Sequence, residues 1–148
     1  MRVYLDNCVF NRPFDDQSQL LISLQTQAKL AIQELIRARS LELTWSYMLD
    51  YENAANPFDT RRRFVDAWKA MASGDIDGSV EIIVMAEELA RKGIAVKDAL
   101  HLACAREGKC DLFITTDSRI LKLGRVESLR ILDPVAFFSY LEEVKHGD

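Results

Sequence analysis

Short runs of β-branched, aromatic and leucine residues alternate along this chain with longer stretches of helical period, and that rhythm restricts the fold more than any other feature. Arg2-Val3-Tyr4-Leu5 is one such run, closed by Asp6-Asn7, residues whose side chains bond nearby backbone and favour a turn. Leu112-Phe113-Ile114-Thr115 is another, bounded by polar residues in the manner of a buried strand. Leu41-Glu42-Leu43-Thr44-Trp45 and Ser128-Leu129-Arg130-Ile131-Leu132 complete the set. Between the first two strands in sequence, Leu20, Leu21, Leu24, Ala28, Ala31, Ile32, Leu35 and Ile36 recur at helical spacing as far as Arg39, with Ser18 as the expected cap. Strands separated by helices require crossover connections. The fold class is therefore α/β, a three-layer sandwich with a mainly parallel central sheet flanked by helices.

The remaining punctuation fits that frame. Ser46 is placed to cap a helix through Tyr51-Glu52 to about Ala55, and Asn56-Pro57 breaks it. A helix over residues 58 to 72 would carry Phe64, Val65, Trp68 and Met71 on one stripe. Asn11 to Asp16 and Gly74 to Gly78 read as loops. Further helices are expected from Ser79 to Arg91, ending at Gly93, and from Val96 to Glu107. A short one follows Asp117, and Asp133-Pro134 opens a closing helix through Val144. Without an internal repeat, low-complexity tract or linker, the 148 residues are expected to form a single domain over 1–148.

Composition narrows the function classes. Cys8, Cys104 and Cys110 are odd in number and include no CxxC pair, which excludes a disulfide framework and a zinc quartet and fits a reducing compartment. No basic segment with an apolar core opens the chain, and no 18-residue apolar stretch occurs, so a cytoplasmic protein with no membrane partner is expected. Nineteen basic against 23 acidic residues leave a net charge of −4, so generalised capture of nucleic acid by a basic surface is not expected. GxGxxG, GxxxxGK[ST], HExxH and GxSxG are all absent, and Asp75-Ile76-Asp77-Gly78 lacks the later ligands of a calcium loop.

In open parallel sheets ligands gather beyond the carboxyl ends of the strands, and acids stand there. Asp6 directly follows the first strand, and Asp117 lies two residues after Thr115. Glu52 and Asp98 add two acids from helices. Each has an ordinary structural use: Asp6 as a turn residue, Asp117 as a helix cap, Asp98 as a first-turn acid favoured by the helix dipole, and Glu52 as an exposed helical glutamate with Asp50 as competitor. Only their combination suggests a site.

In the order Leu5-Asp6, Trp45-Ser46-Tyr47-Met48-Leu49-Asp50-Tyr51-Glu52, Gly93-Ile94-Ala95-Val96-Lys97-Asp98-Ala99-Leu100-His101-Leu102-Ala103 and Asp111-Leu112-Phe113-Ile114-Thr115-Thr116-Asp117, the chain resembles the PIN-domain nucleases, and more loosely the VapC-type toxins among them. The last two segments are the specific ones. The resemblance implies that Asp6, Glu52, Asp98 and Asp117 form one acidic site steadied by the Thr115 hydroxyl. It also implies a homodimer and, for a toxin-like member, a small antitoxin protein that blocks the cleft. Asn7 and Cys8 stand where VapC-type proteins usually carry a small hydroxyl residue and then Asn or Ser.

Clustered carboxylates raise one another's pKa values, and a divalent cation relieves the conflict. Ligation by oxygen alone selects Mg²⁺ or Mn²⁺ over zinc. Asp6, Asp98 and Asp117 are the expected metal ligands, with Glu52 a further ligand or the group that orients water and Asn7 and Thr115 in support. The expected reaction is hydrolysis of an RNA phosphodiester by water, with the ion neutralising developing charge. His101, one turn from Asp98, reads as a core or supporting residue. Arg12 is the expected substrate contact, with Lys97 and Arg119 as further offsets to the acids; Arg61-Arg62-Arg63 reads as a solvated face or partner contact. Two other readings stand beside this one: a catalytically silent PIN-like binding module for nucleic acid or protein, and a phosphatase with Asp6 as nucleophile.

Overall fold

The computed structural model describes residues 1–147. A six-stranded sheet is formed by β1 (Arg2–Leu5), β2 (Glu42–Ser46), β3 (Gly74–Ile76), β4 (Leu112–Ile114), β5 (Arg125–Val126) and β6 (Leu129–Leu132). Helices α1 (Asn7–Asn11), α2 (Leu20–Arg37), α3 (Tyr47–Ala54), α4 (Asp59–Lys69), α5 (Val80–Arg91), α6 (Val96–Glu107), α7 (Ser118–Leu121) and α8 (Pro134–His146) flank it, with a 3-10 turn at Arg12–Phe14. The strand order is β3-β2-β1-β4-β6-β5. All pairs are parallel except β5 with β6. This is the three-layer α/β sandwich that the alternation predicts.

β1 is central, with Val3 in register between Leu43 of β2 and Leu112 of β4. A strand covered on both faces needs consecutive apolar residues, and Val3, Tyr4 and Leu5 are all fully buried. Tyr4 stacks on Phe113 of β4 at 5.3 Å and meets His101 of α6 edge-on at 5.7 Å. Side-chain alternation sends Val3 and Leu5 to the opposite face. Helix α5 packs on α6, and α2 packs on α8. No helix among the described residues is long and apolar enough to cross a membrane.

Several local expectations are corrected by tertiary and turn chemistry. Asn11 to Asp16 is not a loop throughout. Asp6 accepts the Asn7 amide and thereby caps α1, and the 3-10 turn at Arg12–Phe14 continues the chain. Ser18 does not cap α2, because its amide and hydroxyl are both held by Asp16 Oδ1 in a tight turn, at 3.0 and 2.7 Å. Gly74–Ile76 is a strand since it pairs with Thr44–Ser46 of β2, a non-local contact with no local pattern. β5 is added by a hairpin onto β6, turning through Glu127 at φ 53°. Phe64 leaves the expected stripe of α4 and is exposed, while Val65 and Trp68 are buried. Ser46, Ser79 and Asp133 cap α3, α5 and α8 as their positions suggest.

Candidate active site

Because β1, β2, β4 and β6 run parallel, their carboxyl ends open at one edge, and the residues that follow them meet there. Asp6 directly follows β1, and Asp117 lies beyond the end of β4. Glu52 reaches in from α3, whose start Ser46 sets at the end of β2, and Asp98 comes from the first turn of α6. All four acids line one open cleft of about 320 Å³, together with Asn7, Cys8, Asn11 and Asp15. Acids separated by up to 111 positions in the chain are therefore brought together by the sheet topology.

The floor of the cleft is tightly specified. Asp6 is buried, and its amide donates to the Ile114 carbonyl at 2.9 Å, which ties it to the neighbouring strand. Thr115 Oγ1 donates to Asp6 Oδ2 at 2.8 Å and accepts the Asp117 amide at 3.0 Å. One buried hydroxyl thus positions two of the acids. The Asn7 amide donates to Asp6 Oδ1 at 2.8 Å, and Asn7 Nδ2 donates to Glu52 Oε2 at 3.4 Å. Cys8 Sγ lies 3.5 Å from both Asp6 Oδ2 and Thr115 Oγ1 and accepts the Thr116 amide at 3.4 Å.

Behind Glu52 runs a buried polar column. His101 Nε2 donates to Glu52 Oε1, and His101 Nδ1 lies 2.6 Å from the Tyr4 hydroxyl. Tyr4 in turn lies 2.6 Å from Ser46 Oγ, which also accepts the Leu49 amide and so caps α3. His101 is 1% exposed, so it supports Glu52 from the core and does not line the cleft.

The electrostatics follow from burial and crowding. Burial pushes the Asp6 carboxyl above the usual range, against the opposing pull of His101 and the Thr115 hydrogen bond. Asp98 is raised by burial and then by the charges of Asp6 and Asp117. Burial also lifts Glu52, but the hydrogen bond and charge of His101, with Lys97, outweigh it and hold this acid low. Burial pulls His101 down, yet the Glu52 hydrogen bond and the charges of Asp6, Glu52 and Asp98 carry it above the ordinary imidazole value. The Cys8 thiol is pushed up to about 12 by burial and by Asp6.

Asp50 is not a rival to Glu52, since it accepts from Trp45 Nε1 at 3.0 Å and pairs with Lys69. The cations are mostly committed elsewhere. Arg12 holds Asp15 at 3.1 Å and Gln25 at 2.9 Å, so its guanidinium braces the rim. Lys97 lies over the Tyr51 ring, Arg62 and Arg63 pair with Asp59, and Arg61 covers the Phe58 ring at 4.2 Å. Arg119, 3.6 Å from Asp117, is exposed beside the cleft and lines a neighbouring pocket with Asp98. Sequence reasoning misses Asp15, hidden in a segment that reads as a loop, and Tyr4, which reads as an ordinary core residue of β1.

Do these residues suit a divalent ion? The acids offer oxygen donors alone, and the one sulfur in the cleft is protonated at neutral pH, which matches a hard ion and not zinc. Among the described residues no three of His, Cys, Asp or Glu stand close enough to form a ready-made ion cage. Mg²⁺ does not require one, because it keeps several waters and uses one or two carboxylates with substrate phosphates. The donor set fits.

The sequence model of the PIN domain matches residues 3–126, and the chain belongs to that family. Among solved structures, it is similar to VapBC2 from Rickettsia felis bound to a DNA fragment from its promoter, at 16% identity and a TM-score of 0.60, covering 88% of this chain and 97% of that one. DNA-bound VapBC from Salmonella typhimurium matches at 16% identity and TM-score 0.56, covering 90% and 98%. VapBC-1 from nontypeable Haemophilus influenzae matches at 14% and 0.54, again covering 90% and 98%. At these identities the likeness concerns the fold. No curated protein matches the chain.

Proposed function

We propose that the protein is a ribonuclease that hydrolyses RNA phosphodiester bonds with Mg²⁺ or Mn²⁺ held in the acidic cleft. The observation that carries this reading is the convergence of Asp6, Glu52, Asp98 and Asp117 on one open cleft at the strand ends. Membership of the PIN family supports it.

In this proposal Asp6, Asp98 and Asp117 would hold the ion, one or two of them directly and the rest through its waters, and Thr115 fixes the first and last of them relative to each other. A bound divalent ion supplies Lewis acidity, acidifying water and neutralising charge on the phosphate. Glu52, kept ionised and braced on both oxygens by His101 and Asn7, orients the attacking water and accepts hydrogen bonds from it. No side-chain nucleophile takes part. Arg119, exposed beside the cleft, offsets its negative charge toward substrate, and Arg12 contributes by holding the rim.

A toxin role with a small antitoxin partner is supported by the likeness to VapBC complexes, and a homodimer by exposed apolar residues such as Leu20, Leu21, Val80 and Ile83. We take the cytoplasm as the site of action. Incubation of the protein with mixed RNA and Mn²⁺ or Mg²⁺, with EDTA and an Asp6→Asn variant as controls, tests the reading: cleavage that EDTA and the variant both abolish is expected, and cleavage that survives either one refutes it.

A second reading, the catalytically silent binding module, is favoured by the lack of a preformed ion cage among the described residues. Calorimetry separates the two. A silent module takes up no Mn²⁺, whereas the nuclease binds it and loses binding with Asp98→Asn.

A further inference from the structure

The segment from Asn7 to Asp15 has two sides. Asn7, Asn11 and Asp15 face the acidic cleft, whereas Phe10, Pro13 and Phe14 wall a separate cavity of about 570 Å³ between this segment, α2 and α4. Its lining is largely apolar, with Phe64, Val65 and Trp68 contributed by α4. Two residues contradict that character. Lys29 and Gln33 of α2 line the same cavity and are only 6% and 3% exposed.

Neither side chain makes a hydrogen bond among the described residues. Gln33 Nε2 has no hydrogen-bond acceptor among the described residues. On Lys29, burial and the like charge of Arg37 both act against the charged form. The acid at this rim, Glu34, is taken by Arg37. Lys29 and Gln33 are four residues apart, so their heads project from one face of the helix a turn apart. An unpaired buried donor costs free energy that a partner would recover, and Gln33 Nε2 is such a donor, with Lys29 lining the same apolar space from the neighbouring turn.

We propose that this cavity binds a small amphipathic monocarboxylate, whose two oxygens accept from Lys29 Nζ and Gln33 Nε2 while its aliphatic or aryl body lies among Phe14, Phe64 and Trp68. One ammonium and one amide match a monoanion with two acceptor oxygens. A phosphate dianion would bring more charge into this apolar setting than Lys29 offsets, because Arg37, the other cation lining the cavity, is paired with Glu34. The volume lies within the range of small-molecule sites. The assignment does not depend on the nuclease reading, because none of its residues lines the acidic cleft.

The test is calorimetric titration of the whole protein with octanoate and 4-phenylbutyrate, using 1-octanol as the uncharged control. Octanoate is expected to bind about tenfold or more tightly than octanol, the effect of one charge-assisted hydrogen bond. Lys29→Met and Gln33→Leu should each erase that preference while leaving octanol binding intact, and Asp98→Asn should leave octanoate binding unchanged. The proposal is overturned if neither carboxylate binds, if octanoate and octanol bind alike, or if Lys29→Met and Gln33→Leu both keep the preference. It is also overturned if only a peptide with acidic and apolar residues occupies the cavity, which would make it a protein-docking groove.

Discussion

The Thr115 hydroxyl donates to the carboxylate of Asp6 at 2.8 Å across two adjacent strands, and the same oxygen accepts the Asp117 amide. Thr115 is fully buried, so no water can substitute for it easily. Thr115→Val keeps the shape and removes both bonds. We expect a loss of about 1–3 kcal/mol in stability, read by urea unfolding, from the unsatisfied polar groups left behind. Mn²⁺ affinity should fall about 10–100-fold by calorimetry, the effect of removing a group that orients a ligand. Unchanged affinity would remove Thr115 from the site.

Asp98→Asn separates charge from fold. Its carboxyl is raised by burial and by Asp6 and Asp117, so the charged form is disfavoured where it stands. The variant should melt at or above the parent temperature in EDTA. Its cleavage of RNA with Mn²⁺ should drop on the order of 10²–10³-fold, as when one electrostatic stabiliser of a transition state is removed. Retained cleavage with an intact melt would mean that Asp98 plays no part in the reaction.

Lys29 gives a pH signature away from the cleft. Its amine is pushed down from 10.5 to about 8 by burial and by Arg37. Between those values the unfolded chain binds more protons than the folded one, so this group makes stability rise with pH across about 8 to 10.5. Below that window both states carry the charge and the full cost of burying it. Lys29→Met should therefore stabilise the protein at pH 7 by up to about 3 kcal/mol, less whatever water at the cavity mouth screens. That gain should fade as the pH approaches 10.5, as measured by denaturant unfolding at a series of pH values.

Cys8, Cys104 and Cys110 are free, and burial pushes their thiols up to about 12, 12 and 11. Thiolate is the reactive form, so iodoacetamide at pH 8 should leave the folded protein unmodified and alkylate all three after unfolding. Mass spectrometry reads the result. Rapid labelling of Cys8 in the folded state would show that its contacts with Asp6 and Thr115 do not persist.

Much of this architecture is legible in the amino-acid sequence, for identifiable reasons. β1 and β4 are buried on both faces and therefore read as unbroken apolar runs, and Ser46, Ser79 and Asp133 announce their helices by local capping chemistry. Asp6 and Asp117 stand out because strand ends are where a parallel sheet gathers its polar residues, whereas Glu52 and Asp98, on helices, join them only through the resemblance to PIN-domain nucleases. What escapes is non-local. β3 has no pattern of its own and is a strand only because β2 lies beside it. The choice of Glu52 over Asp50 depends on Trp45 and Lys69, one of them 19 positions away, claiming the latter. The link from His101 to Tyr4 joins residues 97 apart, and neither type advertises it.

The borders of the sheet have a bearing on assembly. β3 has three residues and β5 has two, and β5 already spends its pairing on a hairpin. Margins this short offer almost no row of free amides and carbonyls on which another strand could template. Growth of the sheet from molecule to molecule is thus disfavoured at either end.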